Sequence, residues 1–277
     1  MYEKIHPRCQ SMVRWVRFIP IHHFVEKRKL KMKNAAINYQ QKVLDLCQKV
    51  SDTQMDAILQ AAEVIADKIF NGGILYTYGT GHSYLVAAEV IYRSGGLACV
   101  EVINEPSLTG NQHVVKSEFM ERVEGMAQVT FDYYAPTSKD ALIIISNSGR
   151  NAAIIEMAMI AKQNHIPVIA ITSLETSKGT QSRYAHGKKL YDVADIVIDN
   201  NCPKGDCLMN IEGLDQPVGP GSGVTGIFII HSILIQTMAN LIEKGYEPPV
   251  FRSGNLDGSN EFNDKYINMY KNRVRAF

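Results

Sequence analysis

The sequence predicts an α/β protein built on one parallel sheet with helices on both faces. Three observations carry that expectation. Short apolar runs rich in Val and Ile (74–78, 98–103, 141–145, 167–172 and 196–198) alternate with longer segments of helical period. These runs are apolar at most positions, as strands buried on both faces are. With 277 residues, 45% of them hydrophobic, and no Pro/Gly/Ser-rich linker through its middle, the chain can bury one large core.

The elements follow in order. From Ala35 the apolar spacing is helical to Val50; Ser51-Asp52 offers an N-cap for a second helix to Phe70, and Asn71-Gly72-Gly73 supplies a left-handed stop. The first strand runs into Gly79-Thr80-Gly81-His82-Ser83, and a helix over 84–93 follows, with Ser94-Gly95-Gly96 as its exit. The second strand closes at Asn104-Glu105-Pro106. Residues 107–140 are less periodic: a helix over 116–126 is expected there, and Pro136-Thr137-Ser138-Lys139-Asp140 reads as a turn. The third strand leads through Ser146-Asn147-Ser148-Gly149-Arg150-Asn151 into a helix over 152–164. Two more strands, a long loop and a final helix over 224–244 complete the pattern. The run Glu247-Pro248-Pro249 to Gly258 cannot be regular helix and is expected to cross the surface or reach a partner subunit. Three segments result: a basic extension at 1–31, the α/β domain at 32–245 and a tail at 246–277.

The net charge of +1 hides an asymmetry. Residues 1–33 hold nine Lys/Arg against two acids, which leaves an excess of six acids in the remainder. The domain therefore offers no general attraction to nucleic acid. Five scattered cysteines are unlike a disulfide framework, and Cys202 and Cys207 have no matching pair elsewhere that would hold zinc. Neither a membrane span nor an export signal is expected, so the predicted location is the cytoplasm. Glu26-Lys27-Arg28-Lys29 matches the translation of a purine-rich ribosome-binding sequence, which would place the native start at Met32; a basic arm for an anionic surface is the rival reading.

The two polar loops are the chemical feature of the chain. A strand that ends in Gly, Ser and Thr before a helix leaves backbone N–H groups and hydroxyls at a positive helix end, which suits a phosphate. One such loop is also an ordinary strand-to-helix turn, and the first lacks the spacing of a Walker loop or of a dinucleotide-binding fingerprint. Two together fit a site built from two strand ends of one sheet.

These loops resemble those of the SIS (sugar isomerase) domain, a five-stranded parallel α/β/α sandwich that binds phosphosugars, whose first loop has the form G-x-S and second S-x-S-G. Residues 32–245 fit in order and spacing. The resemblance implies that Ser83, Ser146, Ser148 and Asn151 are phosphate ligands within the loops Gly79, Thr80, Gly81, His82, Ser83 and Ser146, Asn147, Ser148, Gly149, Arg150, Asn151. The Ser-Asn-Ser-Gly-Arg-Asn form and the Pro-Pro-Val-Phe-Arg-Ser-Gly-Asn-Leu-Asp-Gly tail are similar to bacterial sugar isomerase domain-containing proteins. One departure stands out. Aldose–ketose isomerases of this family often carry Glu-Thr after S-x-S-G, whereas Arg150 here is similar to the N-acetylmuramic acid 6-phosphate etherases.

An isomerase or etherase moves a proton on the carbon beside a carbonyl and needs a carboxylate or His near the sugar. Glu105 is the first candidate, because the run before it resembles V-E-I-x-S-E of the glucosamine-6-phosphate synthase isomerase domain; its plain alternative is a loop acid capping a turn. Glu89, on the helix after Ser83, resembles the acid of sedoheptulose-7-phosphate isomerases. His231 lies on an apolar helix face where a core His is ordinary, yet its surroundings resemble a run that carries a functional His in those same enzymes. His113 is a further candidate. The resulting expectation is a cytoplasmic phosphosugar-binding protein, an aldose–ketose isomerase, with a lyase or a non-catalytic sensor as alternatives. It needs no cofactor or metal and forms a homodimer or tetramer, with the helix of His231 or the tail from Pro248 completing a neighbour's site.

Overall fold

The computed structural model describes residues 34–110 and 113–277, and the expectations for 1–31 lie outside them. From Gln41 onward the chain forms one compact unit. Helix α1 runs unbroken over Ala35–Phe70. The N-cap expected at Ser51-Asp52 does not interrupt it. Ser51 donates its hydroxyl to the Cys47 carbonyl at 3.2 Å and Asp52 accepts from Gln48 at 2.8 Å, so both side chains are satisfied along the helix.

Five strands form the sheet: β1 (Leu75–Gly79), β2 (Val100–Ile103), β3 (Ala141–Ile145), β4 (Val168–Thr172) and β5 (Ile196–Asp199). All pair in parallel, in the order β2-β1-β3-β4-β5. Every residue of β1 through β4 is buried, which requires cover on both faces. The helices are α2 (His82–Ala88), α3 (Val114–Met120), α4 (Met126–Tyr134), α5 (Ala152–Gln163), α6 (Leu174–Lys178), α7 (Leu190–Val193), α8 (Ser222–Glu243) and α9 (Ser259–Tyr270). A small antiparallel pair, β6 (Cys207–Met209) and β7 (Val218–Pro220), lies in the long loop before α8.

Strand order dictates the layers. From β1 the chain steps one way to β2, and from β3 it steps the other way to β4 and β5, so right-handed crossovers place α2 and α5 on opposite faces. Packing agrees: α2 contacts α8, and α4 contacts α5. Direction reverses between β1 and β3, whose register pairs Gly79 with Ile145 at their carboxyl ends. A crevice is expected at that edge.

Helix α8 qualifies the expectation of no membrane span. It is long and apolar enough by length and composition to cross a bilayer, but half of it is buried in this fold, with Ile229, Ile230, Ile233 and Leu234 in the core. The irregular stretch holds two helices rather than one. The expected helix over 116–126 starts earlier, ends at Met120, and is followed by α4.

The tail crosses the surface of its own chain. Residues 249–251 pair with the edge of the sheet, where Ala98 N–H donates to the Pro249 carbonyl at 2.7 Å, Gly95 N–H to the Phe251 carbonyl at 2.9 Å and Phe251 N–H to the Gly96 carbonyl at 3.0 Å. Helix α9 then returns the chain to the amino ends of the strands. There Arg273 makes two 2.8 Å hydrogen bonds to the wholly buried Asp140, which also accepts from the amides of Ile74 and Thr137.

Candidate functional site

Strand β1 turns at Gly79 directly into α2. A Cβ on Gly79 would stand 2.6 Å from the Ser83 carbonyl oxygen, so the turn needs glycine. The Thr77 hydroxyl donates to the Ala87 carbonyl at 2.8 Å and pins α2 against its strand. Two of the loop amides already have acceptors: Gly81 N–H donates to Leu108 at 2.8 Å and Ser83 N–H to Thr80 at 3.1 Å. An anion there would compete with those bonds. The Ser83 hydroxyl has no partner among the described residues and lines a cavity.

The loop after β3 is clamped from the β4–β5 side. Ser173 N–H donates to the Asn147 carbonyl, the Ser177 hydroxyl to that of Ser148, Leu190 N–H to that of Gly149 and Arg183 N–H to that of Arg150, all at 2.8 to 3.1 Å. Asn200 holds the Asn147 side chain at 2.9 Å. In a trans peptide a carbonyl and the following N–H point in opposite directions. Drawing these carbonyls into the clamp therefore turns the amides of Arg150 and Asn151, at the start of α5, away from it. No side chain caps that helix end. Ser146 Oγ accepts from Gly149 N–H at 3.1 Å, and the Ser148 hydroxyl is unpartnered among the described residues.

Between the loops opens a cavity of about 370 Å³, within the size range of small-molecule sites. Thr80, His82 and Ser83 form one wall and Ser146, Asn147, Ser148 and Asn151 the other, with Ser117 and Glu118 of α3 and Glu121 just after it closing the third side.

Glu121 was not singled out by sequence. Its carboxylate joins the two loops, accepting from the Thr80 hydroxyl at 2.8 Å and from the Asn151 side-chain amide at 2.6 Å, while its carbonyl accepts from Ala153 N–H at 3.1 Å. Burial raises its pKa above the usual carboxylate value, opposed by the Thr80 hydrogen bond and the charges of Arg183 and Arg122. Nothing in the pattern of 107–140 distinguishes it from Glu118 or Glu124. Its partners are 41 and 30 positions away.

The other candidates fall in different places. Glu105 accepts from the amide and hydroxyl of Ser107 at 3.1 and 2.7 Å, the geometry of a turn cap, and lies outside the cavity wall. Glu89 and His231 come together: Oε1 of Glu89 is 3.6 Å from Nε2 of His231. Glu89 follows cavity-lining Leu85 by one helical turn. His113 is exposed at the start of α3, next to cavity-lining Val114. Cys202 is buried 3.5 Å from Thr225 Oγ1, with its thiol pushed up to about 12 by burial.

Comparison with known proteins gives matches over most of the chain. The family model of the SIS domain matches residues 38–173. A UPF0309 protein of Halalkalibacterium halodurans is 40% identical over 222 residues, covering 80% of this chain and 92% of its own. Another, from Caldanaerobacter subterraneus, is 39% identical over 240 residues, covering 86% and 98%. Among solved structures, phosphoheptose isomerase GmhA of Neisseria gonorrhoeae superposes with a TM-score of 0.52 at 18% identity, over 76% of this chain and 99% of that one, a likeness of fold.

Proposed function

From the premise that this chain belongs to the SIS-domain family and, within it, to the UPF0309 proteins, we propose that it is an aldose–ketose isomerase acting on a sugar phosphate in the cytoplasm. The observation that carries the reading is the cavity at the carboxyl ends of β1 and β3, where two hydroxyls without a partner among the described residues, Ser83 and Ser148, stand on opposite walls. The phosphate would be held by these hydroxyls and by the amides that open α5. Isomerisation then takes the proton from the carbon beside the carbonyl and returns it to the neighbouring carbon through a cis-enediol, with no net redox change and no cofactor. Glu89 and His231 are the acid–base pair we favour, since they are the two candidates in contact.

Neither Glu89 nor His231 forms part of the cavity wall of one chain. Along α8, Val224, Phe228, Ile235 and Ile242 leave an exposed apolar stripe beside His231. We infer a homodimer in which this helix covers a partner and brings the pair to the site. Light scattering showing a monomer would remove that part of the reading.

A sugar-phosphate lyase is the second reading, favoured by Arg150 in place of the Glu that often follows S-x-S-G in the isomerases. The test is a thermal-shift screen of the full chain against sugar phosphates and their unphosphorylated parents, followed by turnover assays on the best ligand. A ligand at 100 times its dissociation constant adds about 2.7 kcal/mol of stability. A shift that requires the phosphate and disappears in Ser148→Ala supports the anchor; interconversion, elimination or no turnover then separates isomerase, lyase and sensor. No shift with any sugar phosphate would overturn the proposal.

A further inference from the structure

Aldose–ketose isomerisation moves two protons, one between neighbouring carbons and one between their oxygens. Glu89 and His231 serve the carbons, so the oxygens need an acid–base group of their own in contact with the sugar. Three side chains that line the cavity could carry that proton: His82, Glu118 and Glu121. His82 and Glu118 are exposed, and among the described residues no hydrogen bond from another side chain holds either of them.

Glu121 differs from both. It is partly buried, and the Thr80 hydroxyl holds one carboxylate oxygen at 2.8 Å while the Asn151 amide holds the other at 2.6 Å. Thr80 and Asn151 themselves line the cavity on opposite walls, which also carry Ser83 and Ser148. The carboxylate is thus fixed in orientation between the two loops before any ligand arrives. Each of its oxygens accepts about two hydrogen bonds, so each keeps a position for a substrate hydroxyl. In a cavity of about 370 Å³, a sugar phosphate anchored between the loops meets this third wall. Burial lifts the pKa of Glu121 above the ordinary glutamate value, against the Thr80 hydrogen bond and the charges of Arg183 and Arg122, and so toward the working range of a general acid.

We propose that Glu121 is a catalytic residue of the isomerase, the group that relays a proton between the two oxygens of the enediol. The role deepens the isomerase reading and rests on it. As the carbon base removes the proton from C2, the C2–H electron pair forms the C1=C2 bond and the carbonyl pair takes the proton of the Glu121 carboxyl at O1. The ionised Glu121 then accepts the proton of the C2 hydroxyl. The electron pair left on O2 forms the ketone, the C1=C2 pair takes the proton back from the base at C1, and Glu121 ends protonated as it began.

The test follows full-length protein in heavy water by proton NMR, with aldose and ketose phosphates of five to seven carbons as probes. Two rates are read: interconversion, and replacement by deuterium of the hydrogen on the carbon beside the carbonyl. The amide of Glu121→Gln still donates a hydrogen bond to O1 but has no proton to relay. Interconversion is therefore expected to fall about 10²–10³-fold, whereas exchange, which needs only the carbon base, falls by less than about tenfold. A bridge that merely spaces the loops would lower both rates together, so equal losses overturn the relay, and so does no loss. If Glu121→Gln does not fold, Glu121→Asp takes its place, since it keeps the charge and draws the carboxylate back from the oxygens; the same split is expected. A wild type that binds these sugar phosphates without interconverting them overturns the relay together with the isomerase reading. Failure of the phosphosugar reading would show separately, as wild-type protein that none of the probes stabilises against heat.

Discussion

Oε1 of Glu89, at the end of α2, stands 3.6 Å from Nε2 of His231 on α8, and the same carboxylate pairs with Arg93 at 3.0 Å. This contact joins two elements separated by nearly half the chain and is reachable only because α2 packs along α8. If the pair moves the proton in isomerisation, Glu89→Gln preserves shape and removes the base. Turnover should fall by about 10²–10⁴-fold, with affinity for the sugar phosphate changed by less than about threefold. Steady-state kinetics with a thermal-shift titration check this, and a Glu89→Gln enzyme with unchanged kcat would rule the pair out.

Gly149 sits at the turn of the second loop with φ +56°, and a Cβ there would meet Ser177 Oγ at 3.1 Å and Leu190 Cβ at 3.2 Å. Gly149→Ala therefore strains the backbone and pushes against the loops that clamp Ser148. A loss of about 1–3 kcal/mol in urea unfolding is expected, together with weaker sugar-phosphate binding. Wild-type stability in this variant would mean that the clamp yields freely.

The two loops were legible because each depends on local chemistry: glycine where a strand meets a helix, and hydroxyls at the turn. The parallel sheet was legible for a similar reason, since strands buried on both faces are apolar along their length. Glu121 was hidden because its role is created by a meeting of α3 with loops 41 and 30 positions away. Helix α9 was hidden because it is largely polar. Its buried Asn263 pairs with the backbone N–H and carbonyl of Arg252, both at 2.9 Å, in the manner of a neighbouring strand, and no hydrophobic period announces such a contact.

Arg273 is one polar anchor of the tail, with two hydrogen bonds to the fully buried Asp140. Arg273→Ala leaves that carboxylate with its backbone and Thr137 donors but without its countercharge. A cost of about 2 kcal/mol is expected, the scale of a hydrogen bond to a charged group, with Arg273→Lys losing less. Denaturant unfolding measures both. Because Asp140 lies at the amino ends of the strands and the cavity at the carboxyl ends, sugar-phosphate affinity should not change in protein that remains folded.

Glu121 predicts a pH dependence whose sign follows from its surroundings. Burial raises its pKa in the folded protein more than Thr80, Arg183 and Arg122 lower it. Between the ordinary glutamate value of about 4.3 and the raised folded value, the native state holds more protons than the unfolded one. Its contribution to stability is thus fully present below the unfolded pKa and is lost as pH rises through the folded pKa. Glu101 and Glu156 shift in the same direction through burial, so the wild-type slope contains all three. Glu121→Gln isolates one of them. The amide can accept from Asn151 through its oxygen and donate to a rotated Thr80 hydroxyl through its nitrogen, which keeps the bridge without the charge. Unfolding free energies measured from pH 7 down to about 5 should show the wild type gaining on Glu121→Gln as pH falls. Parallel curves would mean that Glu121 carries no raised pKa, and that its bridge between the loops costs the ionised carboxylate nothing.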